Sequence, residues 1–172
     1  MRYAQIRKMD ISNGLGVGVA LFVQGCHFHC PECFNKETWD FNGGNEYNIE
    51  IENTILNLLQ QPQITRFSIL GGEPLEECNL YQLSILIKKI KTSFPNIKIW
   101  LYSGYTYEDL LERIKNTNIK YLNFILNNID VLVDGQFIQE NKDISYKYAG
   151  STNQRVIDMK HTKGTDIVRL EI

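Results

Sequence analysis

Short apolar runs alternate with amphipathic stretches along this 172-residue chain, and that alternation limits its fold more than any other feature. Val17 to Val23 reads as a buried strand. Residues 48–60 place Ile49, Ile51, Ile55, Leu58 and Leu59 at helical spacing. A second strand is predicted over 66–70, a helix over 77–92, a third strand over 97–102, a short amphipathic helix over 107–115 and a fourth strand over 129–133. Residues 36–47, with Gly43-Gly44 and several Asn, read as loop, and the tail from about 150 suits an edge strand or hairpin. Strands and helices alternating at this pitch imply βαβ units, hence an α/β fold with a mostly parallel sheet. A closed eight-fold barrel typically needs about 250 residues. The expectation is therefore a partial, open β/α barrel forming a single domain over 1–172, with no linker or internal repeat.

In such sheets ligands gather at the carboxyl ends of the strands, and the unusual residues fall there. Gly-Gly-Glu-Pro follows the second predicted strand, Ser-Gly-Tyr the third and Asp-Gly the fourth. After the first comes a loop, 24–35, that holds Cys26, Cys30 and Cys33. A net charge of -2 and the lack of a long Lys/Arg run argue against nucleic-acid binding. No apolar run reaches the roughly 20 residues that span a bilayer, and the first ten residues lack a signal-peptide core. These features predict a cytoplasmic protein without a membrane partner, in a compartment where thiols stay reduced. There, clustered cysteines point to metal or catalysis before disulfides. Three local thiolates can hold a cubane 4Fe-4S cluster and leave one iron open for chemistry. The alternative is a zinc site completed by His27 or His29, although zinc ligands normally come as two separated pairs. Cys78, alone 45 positions beyond Cys33, is the sort of cysteine that serves as a small packing residue.

Gly71-Gly72 lets a backbone approach a ligand without an intervening Cβ, and Glu73 could meet a ligand ammonium; a tight turn before a helix is the simpler reading of the same residues. Gly14-Leu15-Gly16-Val17-Gly18 precedes a strand and opens no helix, which excludes a dinucleotide-binding loop. Lys88, Lys89 and Lys91 fit a solvated helix face, and His161 a surface position.

Taken together, C-x3-C-x2-C and Gly71-Gly72-Glu73-Pro74 resemble the signature of the radical S-adenosylmethionine enzymes. Gly25 to Asn35, Lys36 to Trp39, Ser103-Gly104-Tyr105, Val131 to Gly135 and Gly150 to Arg155 narrow the resemblance to the glycyl-radical activases of anaerobic ribonucleotide reductase, over almost the whole chain. The resemblance implies that Cys26, Cys30 and Cys33 hold a 4Fe-4S cluster. It implies that Glu32, Cys33 and Phe34 lie along the adenine of S-adenosylmethionine, that Gly71, Gly72 and Glu73 bind the methionine end, and that Asp134 meets the sulfonium or ribose. One electron would cleave the cofactor to methionine and a 5′-deoxyadenosyl radical, which takes a hydrogen atom from a glycine of the reductase's large subunit. A flavodoxin or ferredoxin is the implied electron donor. Relatives often carry Gly or an aromatic where this chain has Glu32, and Gly-Pro-Gly-x-Arg where it has residues 14–18. The competing readings are an activase of another glycyl-radical enzyme, such as pyruvate formate-lyase, and a non-catalytic iron-sulfur or zinc adaptor. The short length weighs against the first, and the Gly-Gly-Glu-Pro cradle against the second.

Overall fold

Hydrophobic alternation places the strands of this chain in one seven-stranded sheet with its helices packed on one side. A computed structural model describes residues 1–117 and 120–171. The elements are β1 (Arg2–Asp10), β2 (Gly18–Val23), β3 (Asn45–Glu46), α1 (Ile49–Leu59), β4 (Arg66–Gly71), α2 (Glu77–Ser93), β5 (Lys98–Tyr102), α3 (Tyr107–Thr117), α4 (Lys120–Asn128), β6 (Val131–Asp134) and β7 (Arg155–Asp158). The sheet order is β3-β1-β2-β4-β5-β6-β7. The pairs β2–β4, β4–β5 and β5–β6 are parallel, and the pairs β1–β2, β1–β3 and β6–β7 are antiparallel. The sheet is thus open and mixed, which corrects the expectation of a mostly parallel one. The reason lies in the connections. Parallel neighbours need a crossover of a dozen or more residues, and only residues 11–17 separate β1 from β2.

Period-two alternation sends successive side chains to opposite faces. Val19, Leu21, Val23, Phe67, Ile69, Ile99, Leu101, Leu132 and Ile157 meet the helices in the main core. α2 contributes Leu80, Leu83, Leu86, Ile87 and Ile90 at i, i+3, i+4 spacing. α1 starts at Asn48, whose side chain accepts hydrogen bonds from the backbone N–H groups of Glu50 and Ile51, both at 3.0 Å. Lys89 and Lys91 are less solvated than their spacing suggests: Lys89 pairs with Glu52 of α1, and Lys91 lies 2.6 Å from Asp130. The opposite face carries only two small clusters, Ala20–Phe22–Leu70 and Trp100–Val131–Val133–Val156.

β1 and α4 escape the sequence reading. β1 alternates weakly and is largely half-exposed; α4 buries Leu122, Ile125 and Leu126 and exposes Lys120, Asn123 and Asn127, but at nine residues it is too short for the pattern to stand out. β7 confirms an edge strand in the tail, and His161 is exposed as expected.

The glycine-rich segment 14–18 wraps a fully buried guanidinium. Arg66 Nη2 donates to the Asp10 carbonyl at 2.7 Å and to Asp10 Oδ1 at 3.0 Å, and Nε donates to the Leu15 carbonyl at 3.2 Å. Nη1 donates to the Asn13 carbonyl and to Ser68 Oγ. A Cβ at Gly14 would sit 2.6 Å from Arg66 Cδ and 2.7 Å from the Trp100 ring, so this loop closes only with glycine there. Removing one partner of a buried pair costs about 3–5 kcal/mol. Arg66→Met should therefore lower the unfolding free energy by about that much, read from urea denaturation midpoints; an unchanged midpoint would show that the loop does not depend on this arginine.

Candidate active site

The bare face of the sheet ends in a cavity of about 530 Å³ at the carboxyl ends of the parallel strands. Cys26, Cys30, Cys33, Phe34, Gly71, Gly72 and Glu73 all border it. Four residues of that wall, Ser103, Gly104, Gly135 and Gln136, follow β5 and β6 directly.

The cysteine loop hangs from a closed neck. Gly25 N–H donates to the Thr38 carbonyl at 2.8 Å, Cys26 N–H to the Trp39 carbonyl at 3.1 Å, and Gln24 Nε2 to the Glu37 carbonyl at 3.0 Å. Between those ends the chain turns sharply, with His29 and Glu32 at φ 48° and 55°. Cys33 N–H closes the turn on the Cys30 carbonyl at 3.1 Å. Burial pushes the Cys26 thiol up to about 11 and raises Cys30 as well. His27 is paired with Glu76, and the His29 ring lies 4.6 Å from Trp39. Neither histidine borders the cavity that the three cysteines line, and His27 Nδ1 is engaged by Glu76, so the cysteines and a histidine do not share one site. Cys78 is exposed and does not line the cavity. Among the described residues, no three His, Cys, Asp or Glu side chains lie close enough together to hold a single metal ion. A single tetrahedral zinc needs sulfurs about 3.8 Å apart, from its bond length of about 2.3 Å. A cubane gives each cysteine its own iron and accepts a wider spread. Cys26, Cys30 and Cys33 border one cavity and offer the thiolate donors that such a cluster takes.

Gly71 and Gly72 are needed for a different reason than ligand approach. Gly71 has φ 106°, and a Cβ on it would lie 2.8 Å from the Val23 carbonyl oxygen. A Cβ on Gly72 would run into the Gly25 carbonyl, at the root of the cysteine loop. The N–H of Gly72 donates to the Val23 carbonyl at 2.9 Å, and that of Glu73 to the Gly25 carbonyl at 2.7 Å. These two N–H groups are therefore engaged within the fold and not available to a ligand.

The Glu73 carboxylate is 1% exposed. It accepts from Leu75 N–H at 2.8 Å, Ser103 Oγ at 2.9 Å and Gly104 N–H at 2.7 Å. Three of its roughly four acceptor positions are thereby filled. Burial outweighs those donors and raises its pKa from 4.5 to about 7.

Two of the expected residues lie off the cavity. Glu32 is exposed and takes Lys36 at 3.1 Å. Asp134 is buried, accepts from Tyr107 N–H at 2.7 Å and pairs with Arg155. Its carboxylate is turned toward the start of α3, so it cannot meet a sulfonium in this cavity. Arg155 also grips Glu108, at 2.6 Å, and holds that carboxyl down at about 2. The segment 150–155 closes the wall. Gln154 Nε2 donates to the Gly135 carbonyl at 2.8 Å, while its Oε1 accepts from Gly150 N–H, also at 2.8 Å. Asn153 Nδ2 donates to the Gln136 carbonyl at 2.9 Å. Phe137 then packs against Phe34 of the cysteine loop at 5.1 Å between ring centroids. Sequence reasoning marked Ser103-Gly104 and Gly135 as strand ends but missed that Phe28, Gln136 and Tyr102 join the same wall; strand-end position signalled Gln136 and Tyr102, and membership of the cysteine loop signalled Phe28.

An open α/β sheet with three thiols and a glycine-rich strand end in one cavity defines an iron-sulfur protein with a substrate-accessible centre. Residues 12–157 match the family described as "4Fe-4S single cluster domain". The chain is 38% identical over 156 residues to the anaerobic ribonucleoside-triphosphate reductase-activating protein of Vibrio cholerae, covering 90% of this chain and 96% of that one. It is 37% identical to the protein of that name from Escherichia coli K12, over 91% of this chain and 97% of the relative. For the Enterobacteria phage T4 protein the figures are 33%, 91% and 93%. The chain belongs to the family of anaerobic ribonucleoside-triphosphate reductase-activating proteins.

The folded state binds a proton at Glu73 more tightly than the unfolded chain does. Between about pH 4.5 and 7 it therefore holds more protons, and its stability falls as pH rises through that window. The span of about 2.5 pH units amounts to about 3 kcal/mol. Glu73→Gln should remove this fall from chemical-denaturation curves of the metal-free protein, and an identical pH slope in both proteins would mean that Glu73 ionises normally.

Proposed function

We propose that this protein activates anaerobic ribonucleotide reductase by leaving a glycyl radical on its large subunit, as a single radical S-adenosylmethionine domain over 1–172. The observation that carries the reading is the meeting of Cys26, Cys30 and Cys33 with Gly71 to Glu73 in one cavity on the bare face. The three cysteines hold a 4Fe-4S cluster with one iron open. When bound there, cluster and S-adenosylmethionine supply a one-electron cleavage that ends in abstraction of a hydrogen atom from glycine.

The protein's own residues bind, orient and exclude. Carbonyl oxygens of Gly71 and Gly72 face the ammonium of the methionine end, since the N–H groups of Gly72 and Glu73 are engaged. Glu73 adds its one remaining acceptor position and fixes the ends of β4 and β5 relative to each other. Cys33 and Phe34 border the place proposed for the adenine, with Glu32 contributing backbone alone. Asp134 acts through Arg155, as an anchor of the wall. We read the parallel strands β2, β4, β5 and β6 as the arc of a partial barrel, open on the side where the reductase docks. A flavodoxin or ferredoxin as electron donor and a cytoplasmic setting complete the reading. Among the described residues, no helix is long and apolar enough to cross a membrane.

Anaerobic reconstitution should give about four irons per chain, with Cys26→Ser, Cys30→Ser and Cys33→Ser each abolishing uptake and Cys78→Ser leaving it intact. The reduced protein with S-adenosylmethionine and the large reductase should give a carbon-centred doublet in electron paramagnetic resonance on the reductase, together with 5′-deoxyadenosine. A doublet on pyruvate formate-lyase and none on the reductase would transfer the assignment to that enzyme's activase.

A further inference from the structure

One polar group on the cavity wall has no task in the fold. Tyr102 ends β5, and its ring lies on the bare face, in contact with both small clusters: Ala20–Phe22–Leu70 and the group around Trp100 and Val133. The side chain lines the cavity, yet its hydroxyl is buried and has no hydrogen-bond partner among the described residues. Buried phenols normally find one. The ionisable groups that act on this hydroxyl are Arg66, Asp10 and Tyr148, and no cysteine is among them. The ring packs on Ala20, Phe22 and Leu70 of the sheet face itself, not on the strand-end loops. Two of the ionisable neighbours, Arg66 and Asp10, are already committed. Arg66 spends its donors on Asp10, Asn13, Leu15 and Ser68, and Asp10 is taken by Arg66 and Asn13.

We infer that Tyr102 positions the substrate: its hydroxyl donates a hydrogen bond to a backbone carbonyl of the glycine-bearing segment that the partner inserts into the cavity. The inference rests on the functional reading above. Glycine has no side chain, so a site can hold it only by its main chain and by the shape of its surroundings. A hydroxyl donor beside the apolar cavity residues Phe22 and Leu70 meets that need. The polar ends of the cofactor find their partners at the strand ends instead.

Tyr102→Phe keeps the ring and removes the hydroxyl. If the hydroxyl waits for a ligand, the metal-free variant should melt at the same Tm as the parent protein or higher, because an unpaired buried group has been deleted. Iron content and S-adenosylmethionine affinity should be unchanged. The reductase concentration giving half-maximal glycyl radical should rise about three- to tenfold, the equivalent of one neutral hydrogen bond, and 5′-deoxyadenosine should exceed the glycyl radical formed. A lower Tm would show that the hydroxyl is bonded within the fold and overturn the inference. Weaker S-adenosylmethionine binding with an unaltered reductase requirement would assign the acceptor to the cofactor and overturn it too, as would no change in any readout. Parent protein that forms no radical on the reductase would overturn the functional reading itself, before any variant is compared.

Discussion

Gly25 and Gly72 face each other across the end of the sheet, one at the root of the cysteine loop and the other one residue beyond β4. Each carries φ or contacts that leave no room for a side chain: Gly25 has φ 94° and lies against the Phe41 ring, and Gly72 abuts the Gly25 carbonyl. Their closeness lets Gly72 and Glu73 donate to Val23 and Gly25, so the sulfur-bearing loop and the strand end become one piece of backbone. From that joint Glu73 reaches Leu75, Ser103 and Gly104, carrying the geometry from β4 to β5. A cavity assembled from four separate loops would otherwise have no fixed dimensions. Here its two richest walls share hydrogen bonds, and preorganisation of this kind is what a site needs if reactive chemistry is to be aimed.

The far wall is built on the same logic with different groups. Asn153, Gln154 and Arg155 bond in succession to Gln136, Gly135 and Asp134, running antiparallel as β7 runs against β6. Phe137 leans from this ladder onto Phe34, bridging the wall to the cysteine loop. The buried Asp134 pairs with the partly exposed Arg155, and its carboxylate also takes the first N–H of α3, so the pair sets where α3 begins as well as where the wall stands.

Much of this was legible in the residues themselves. Strand ends, cysteine spacing and the double glycine predicted one cavity, and the cavity contains those cysteines and glycines. Local patterns show which residues are unusual but not what they touch. Arg66 sits in an ordinary strand pattern, and only the folded chain shows the glycines of residues 14–18 wrapped around it. Gly71-Gly72 was correctly marked as a place of close approach, but the approaching group is the protein's own backbone. Asp134 looked like a ligand because it ends a strand, while its partner Arg155 lies 21 positions away. β1 and its antiparallel pairing went unseen because a half-exposed strand rich in Arg and Lys carries little alternation.

Because all helices pack on one face of the sheet, each strand serves two masters in alternate residues. Val19, Leu21, Phe67, Ile69, Ile99 and Leu101 belong to the helix-covered core, and their in-between neighbours Ala20, Phe22, Ser68, Leu70, Trp100 and Tyr102 face the other way. Selection for stability and selection for partner choice thus act on interleaved positions of one backbone. On the second face Ala20, Ser68 and Trp100 are themselves buried, so the freedom to suit a different protein segment lies with the cavity-lining Phe22, Leu70 and Tyr102. Such a chain could retain its chemistry while changing its client, and the record of that change would be written in every second residue.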